Sequence, residues 1–213
     1  MNYILVIVVI TALISIAGFS NEQVVNKLIL WPGQMHNPAE YHRLLSHGFI
    51  HADIMHLAFN MISLYFFGAN VQFTFGSGGE LSGRGDYAGT IIITLYLSAI
   101  IIASLPTFLK NRNNNYYRSL GASGGVAAII FFSIFYYPWN EIGIIFLPFG
   151  MPGIVFGGLY LACEAYMSRK EVGNVNHSAH FWGSVYGLLV AFMLDPSHGS
   201  NFIEALKHPQ WKF

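Results

Sequence analysis

The chain has 213 residues, of which 54% are hydrophobic and only 9% are charged. Soluble domains carry about 25% charged residues, so this composition argues against a water-soluble globule. Ten basic residues balance ten acidic ones, and zero net charge without a basic stretch excludes a nucleic-acid partner. The lone Cys163 excludes an intrachain disulfide and a cysteine-based zinc site. The composition therefore predicts a polytopic membrane protein, in which nine histidines stand out.

Six apolar runs are candidates to cross a bilayer as helices, which takes about 17–25 residues each. They cover Tyr3–Phe19, Ile54–Phe75, Ala88–Leu109, Leu120–Tyr137, Phe149–Met167 and Ser178–Leu194. Backbone polar groups in the hydrocarbon region must be satisfied within their own segment, so each run is predicted to be an α-helix. A signal peptide remains an alternative for the first run, although only the terminal amine supplies positive charge before it.

The connections between the runs differ in character. Residues 20–52 form a long first loop with half-apolar patches, which we expect to lie in the membrane interface as short helices. Residues 76–87 are glycine-rich, residues 110–119 are polar, and a link bracketed by prolines joins the fourth and fifth spans. The tail after Asp195 is short and polar, and no repeat is visible. We therefore expect residues 1–213 to form a single all-α membrane domain with a polar tail at 195–213.

A few polar residues lie inside the apolar runs, where each costs about 2.5–3.5 kcal/mol and therefore indicates function. His56 and Asn60 are four residues apart in the second span and share one helical face. Ser123 begins the fourth span, and His180 lies near the start of the sixth. Alternate helices run parallel, so spans two, four and six enter the membrane from the same side. These polar residues are therefore predicted to meet at similar depth.

Such a cluster suits nucleophilic catalysis. A serine hydroxyl needs an adjacent base, and histidine is the usual one. No Asp or Glu is an obvious third member, so Ser123 and His180 are predicted to form a dyad. Pairs of glycines four residues apart, Gly121 with Gly125 and Gly183 with Gly187, predict that spans four and six pack closely enough for the dyad to form.

These motifs resemble the rhomboid family of intramembrane serine proteases, in the bacterial-type form with a six-transmembrane core. The matching residues are His56-x-x-x-Asn60, Gly121-Ala-Ser123-Gly and Ala179-His180-x-x-Gly183-x-x-x-Gly187, in the family's order. Glu40 and Arg43 also resemble the family's first loop, and the likeness covers about residues 38–194. It implies a rhomboid-like bundle of six transmembrane helices around a water-filled cavity.

The resemblance also implies roles for individual residues. Ser123 would be the nucleophile of a serine endopeptidase and His180 the general base. His56, Asn60 and the backbone N–H of Ser123 would form the oxyanion hole, which Gly121 helps to shape. The family cleaves transmembrane segments of other membrane proteins without a cofactor or metal, so the implied partners are such substrates and the lipid bilayer. Span five and the link before span six would gate substrate entry. The oligomeric state is left open.

Three positions depart from the family's pattern. Ala127 stands where an aromatic residue often stacks on the catalytic histidine, and Phe181 or Trp182 is considered as its replacement. His42 stands where tryptophan is common, and Val175 where glycine is usual.

The distribution of basic residues disagrees with the family's topology. Seven of the ten Lys and Arg residues lie on the side of the candidate site, and such loops are normally cytoplasmic. We follow the family and expect the site to face the extracytoplasmic side of a bacterial cell membrane, in a multi-pass protein.

Other interpretations stay open from the sequence alone. A catalytically weak or inactive rhomboid-like protein that binds transmembrane helices is the main alternative to a protease. His47, His51 and His56 could hold a metal, although zinc prefers three or four ligands and no HExxH motif is present. Glu164 and Asp195, near the ends of spans five and six, are expected to reach the membrane surface or anchor there.

Overall fold

The computed structural model describes residues 2–143, 150–170, 173 and 175–209, and it is helical almost throughout. The helices are α1 (Tyr3–Phe19), α2 (Glu22–Leu28), α3 (Arg43–Ser46), α4 (Ile54–Thr74), α5 (Ala88–Asn111), α6 (Ser123–Tyr136), α7 (Gly153–Lys170), α8 (His177–Leu194) and α9 (His198–Lys207). Short 3-10 turns cover Pro32–Gln34, Pro38–His42, His47–Phe49 and Ser82–Tyr87. The predicted all-α bundle is confirmed, and each of the six apolar runs overlaps one of the helices α1, α4, α5, α6, α7 and α8. The predicted start of the fifth run, Phe149, lies outside the described residues.

A strand pair and one helix were not expected from the sequence. In the link between α6 and α7, strand β1 (Glu141–Gly143) pairs antiparallel with β2 (Gly150–Pro152). The predicted polar tail contains α9, whose Phe202 ring stacks on Phe135 of α6 at 5.3 Å between centroids. The tail therefore packs on the bundle through an aromatic contact, which its mainly polar composition did not predict.

Helix α6 is the centre of the bundle, because 12 of its 14 residues are buried. It packs against α4, α5 and α8, and its contact with α8 is the most extensive. A Cβ atom on Gly183 would lie 2.2 Å from the carbonyl oxygen of Gly124, and one on Gly187 would lie 2.2 Å from that of Ala128. Both glycines of α8 therefore permit direct backbone contact between the two helices.

The glycine pair predicted on the α6 side is wrong in part. A Cβ atom on Gly125 would meet Ile100 and Tyr96 of α5, and not α8. The α6 face that contacts α8 is instead formed by Gly124 and Ala128.

The first loop is held in place by Arg43. Its guanidinium donates hydrogen bonds to the carbonyl oxygens of Asn26 (2.6 Å) and Ile29 (3.0 Å), and to the Glu40 carboxylate. These bonds tie α2 and the 3-10 turn at Pro38–His42 to α3, and so order the loop that leads into α4.

Large apolar side chains remain exposed on the outer helix faces. Leu13, Phe66 and Met193 are each more than 60% exposed, and they belong to three different helices. Exposed apolar surface of this extent indicates an apolar environment around the bundle. Among the described residues, Ile54–Thr74 and Ser82–Asn111 are long and apolar enough to span a bilayer by length and composition alone. The helices Tyr3–Phe19 and Ser123–Tyr136 are apolar but shorter.

Candidate active site

The nucleophile candidate lies at the first turn of α6, directly after a constrained backbone. Gly121 has a φ of +120°, and a Cβ atom there would lie 2.7 Å from Cε1 of His56. Both the positive φ and this close approach require glycine. The Gly121 N–H donates to the carbonyl of His47, and the Ala122 N–H donates to Nε2 of His51. The backbone that presents Ser123 is therefore fixed by the first loop.

Ser123 and His180 lie within hydrogen-bonding distance across the α6–α8 contact. The distance between Ser123 Oγ and His180 Nε2 is 2.8 Å, and both residues are half-buried. The pair sits beside the Gly124–Gly183 contact, one of the two points at which the backbones of α6 and α8 touch. This separation is the one that a serine nucleophile and its base require.

The other ring nitrogen of His180 has a partner that the sequence did not reveal. Nδ1 of His180 lies 3.1 Å from Oε1 of Glu164, whose second oxygen lies 2.6 Å from Nδ1 of His177. Glu164 is only 8% exposed. The expectations that Glu164 extends to the membrane surface and that no carboxylate approaches the dyad are therefore both wrong. The sequence feature that could have indicated a partner for His180 was an acidic residue within the apolar run of α7.

The aromatic ring beside His180 also comes from α7. Tyr160 stacks on the imidazole at 6.3 Å between centroids and an interplanar angle of 24°. Phe181 and Trp182 pack edge-to-face on each other, so neither takes the place proposed for it. Tyr160 and Glu164 are four residues apart and share one face of α7. The aromatic ring that is missing at Ala127 of α6 is therefore supplied by α7.

His56 and Asn60 lie on the first turns of α4. The Asn60 side-chain amide donates to the carbonyl of His56 at 2.9 Å, which leaves one of its two N–H bonds for another acceptor. Asp53 accepts from the His56 N–H and caps the helix. Together with Gly121, Ser123 and His180, these residues line a cavity of about 580 Å³. The predicted site residues thus all line one cavity.

Among the described residues, His47, His51 and His56 do not bring three ligand atoms together. Nε2 of His51 accepts from Ala122, and its Nδ1 lies 2.8 Å from Ser15 Oγ, which donates to the carbonyl of Phe49. Both ring nitrogens of His51 are thus occupied, and the accepting Nε2 places the proton on Nδ1. Burial lowers the pKa of His47 to about 4 and that of His51 to about 3, so both rings are neutral at physiological pH.

One other group of side chains has the composition of a metal site. Among the described residues, Glu164, His177 and His180 each offer a ligand atom within 4.8 Å of one another. The carboxylate–nitrogen distances of 2.6 and 3.1 Å are those of hydrogen bonds. These side chains therefore satisfy one another as they stand.

The predicted substrate gate, span five and the link before span six, falls partly outside the described residues, because 171, 172 and 174 belong to that link.

Comparison with known proteins identifies similar sequences. The family model described as "Rhomboid domain" matches residues 38–197. "RHOMBOID-like protein 12, mitochondrial" from Arabidopsis thaliana is 30% identical over 152 residues. That alignment covers 67% of the chain and 43% of the relative, so the chain spans less than half of the relative's length. The matched family region runs from the first loop to just beyond the end of α8 and includes His56, Asn60, Gly121, Ser123 and His180.

Proposed function

Because the chain belongs to the rhomboid family, we propose that it is an intramembrane serine endopeptidase in which Ser123 is the nucleophile and His180 the general base. The observation that carries the proposal is the 2.8 Å separation between Ser123 Oγ and His180 Nε2. The family and the exposed apolar helices indicate a membrane protein. The protease activity of this chain is our inference from its site.

The reaction follows from the roles of the two side chains. Ser123 Oγ attacks the carbonyl carbon of the scissile peptide bond while its proton passes to Nε2 of His180. The same nitrogen then donates this proton to the leaving amine as the carbon–nitrogen bond breaks. Water, activated by His180, attacks the acyl-enzyme and releases the second product. Every proton moves through one nitrogen atom that already lies beside the hydroxyl.

The oxyanion formed at the carbonyl needs hydrogen-bond donors. The first N–H groups of a helix have no intrahelical acceptor, so the Ser123 N–H at the start of α6 is available. The remaining amide proton of Asn60 and the imidazole of His56 are the proposed side-chain donors, and the absence of a side chain at Gly121 lets the His56 ring approach. Donors of this kind contribute about 100- to 1,000-fold each in other serine proteases.

The substrate class follows from the surroundings of the cavity. The cavity has apolar as well as polar lining, including Ile100 and Ala103, and it lies among helices whose outer faces are apolar. A partly unwound transmembrane segment would present both a scissile bond and apolar side chains to such a site. We therefore propose transmembrane proteins as substrates in a lipid bilayer. Neither a metal nor a cofactor enters the steps.

The chain is proposed to be a multi-pass protein whose cavity opens to the extracytoplasmic side of its membrane. The expectation of a bacterial cell membrane gains no support from the comparison, since the relative is named as mitochondrial. Seven basic residues lie on the cavity side, which by charge alone would be the cytoplasmic side. Labelling of cysteines introduced into the 110–119 loop would show which side of the membrane this loop faces.

The decisive experiment is cleavage of a model transmembrane substrate in liposomes by the wild type, Ser123→Ala and His180→Ala. Both variants should lose at least a thousandfold in kcat/KM, the scale on which catalytic residues of serine proteases act. Ser133→Ala is the matched control, because Ser133 is a buried serine on the same helix, remote from the cavity. Wild-type rates from either site variant would refute the mechanism.

A second measurement separates the protease from a rhomboid-like binding protein. A fluorophosphonate probe should label the wild type and Ser133→Ala but not Ser123→Ala. An unlabelled wild type that still binds a transmembrane peptide would favour the binding protein.

A further inference from the structure

Glu164 lies at a position where a carboxylate requires partners. It sits inside α7 at 8% exposure, and burial of an ionised carboxylate is unfavourable unless its oxygens accept hydrogen bonds. Both oxygens do so, Oε1 from His180 and Oε2 from His177. Because an ionised carboxylate only accepts, each histidine must donate through Nδ1–H. The carboxylate thereby selects one tautomer for both rings.

The selected tautomer of His180 is the one that proton transfer requires. With its proton on Nδ1, the neutral ring presents a lone pair at Nε2, 2.8 Å from Ser123 Oγ. A neutral imidazole without this acceptor would also populate the Nε2–H form, which cannot take the proton of the serine. The same carboxylate faces the positive charge that develops on the ring when the proton arrives.

We propose that Glu164 is a positioning residue that completes a Ser123–His180–Glu164 triad, with His177 holding the carboxylate in place. The inference rests on the proposed function and extends it to a third residue. During acylation the serine proton moves to Nε2 while Nδ1 keeps its own proton. Glu164 stays ionised throughout, and the Nε2 proton leaves with the amine product.

The surroundings of the ring support a role in orientation. Tyr160 stacks on one face of the imidazole and lies one helical turn before Glu164. Helix α7 thus restricts the tilt of the ring through Tyr160 and its in-plane direction through Glu164. The 2.6 Å bond from His177 restricts the carboxylate in turn. Three side chains from two helices therefore define one orientation of His180.

The test compares Glu164→Gln, Glu164→Asp and Glu164→Ala in the full-length protein. An amide in place of the carboxylate presents an N–H₂ group that can donate to Nδ1 and so favours the wrong tautomer. We expect Glu164→Gln to lose about 100- to 10,000-fold in kcat with KM changed less than threefold, by analogy with the acid of other triads. Glu164→Asp should recover at least tenfold over Glu164→Ala. Glu204→Gln, an exposed glutamate on α9, is the matched control and should keep wild-type kcat.

A spectroscopic readout separates orientation from a structural role. In histidine-labelled protein, the ¹⁵N signals of His180 should report a protonated Nδ1 in the wild type and in Glu164→Asp, and a protonated Nε2 in Glu164→Gln. Near-wild-type kcat in Glu164→Gln, an unchanged tautomer, or no recovery in Glu164→Asp would each overturn the inference. So would loss of activity on EDTA treatment with recovery on Zn²⁺ addition, which would make the three side chains metal ligands. If Ser123→Ala still cleaves, the proposed function fails, whereas an active Glu164→Gln beside an inactive Ser123→Ala removes only the triad.

Discussion

The close contact between α6 and α8 makes Gly183→Ala a sensitive test of how the site is assembled. The new Cβ would lie 2.2 Å from the Gly124 carbonyl oxygen, whereas ordinary contacts begin at 3.4 Å, so the backbones must separate by about 1 Å. Ser123 directly precedes Gly124, and His180 lies one turn before Gly183. An increase of that size takes the Ser123–His180 pair from 2.8 Å to beyond the range of about 2.6–3.2 Å that proton transfer requires.

The expected result is a loss of about 100-fold in kcat/KM, since misplacement by about 1 Å costs roughly that much. Overpacking should also lower the free energy of unfolding by about 1–3 kcal/mol. Cleavage of a reconstituted transmembrane substrate gives the first quantity, and thermal unfolding in detergent gives the shift in stability.

Two control variants separate catalysis from stability. Gly187→Ala meets the Ala128 carbonyl at the same 2.2 Å but one turn farther from the dyad, so it should destabilise similarly and lose less activity. Gly158→Ala on α7 meets nothing within 4 Å, and it should be neutral or slightly stabilising. Wild-type activity in Gly183→Ala, or equal losses in Gly183→Ala and Gly187→Ala, would refute the link between this contact and the site.

Three further predictions concern the backbone before the nucleophile and the first loop. Gly121→Ala should reduce kcat by at least tenfold and lower the free energy of unfolding by about 1–3 kcal/mol, because it places a Cβ at φ +120° against His56, the proposed oxyanion donor. Unchanged kinetics together with unchanged thermal unfolding would contradict this. The pKa values of His47 and His51 in the folded state lie below the value of about 6.5 in the unfolded chain. Because the unfolded state therefore binds more protons, the free energy of unfolding is highest above pH 6.5 and decreases as the pH falls toward 4. At pH 5 each of the two rings should lower the free energy of unfolding by about 2 kcal/mol. A melting temperature that stays constant from pH 8 to pH 5 would contradict this. Arg43→Lys should lower the free energy of unfolding by about 1–3 kcal/mol, because an ammonium group cannot replace the planar guanidinium that donates to two loop carbonyls and a carboxylate. Limited proteolysis of the first loop should also become faster.

The helices were predictable because each depends mainly on a local run of apolar residues. The predicted spans Ile54–Phe75 and Ser178–Leu194 differ from α4 and α8 by a single residue at one end. The family resemblance, expected over about residues 38–194, is confirmed by the match over 38–197.

Residues that meet across helices were harder to predict, because spacing along one helix does not say which neighbour it contacts. Helix α6 is buried on nearly all sides, so its four-residue spacing fitted two partners, and the prediction chose Gly125 where the structure uses Gly124. Glu164 posed the same problem. Whether an acid in α7 faces lipid or His180 depends on the rotation of the whole helix. The partners of His180 therefore had to be found from the three-dimensional arrangement.

The hydrogen bond between Ser15 and His51 has a consequence for which part of the chain must be present. The rhomboid match begins at residue 38, whereas Ser15 belongs to α1 and is fully buried. Ser15 holds the imidazole whose other nitrogen accepts from Ala122, next to the nucleophile. A truncated chain that starts at the matched region would lose this support and expose the α4 surface that Ile4 covers at Gly68. The first helix is thus part of the scaffold of the site, and we expect the smallest chain with the proposed activity to include α1 as well as the region matched by the family.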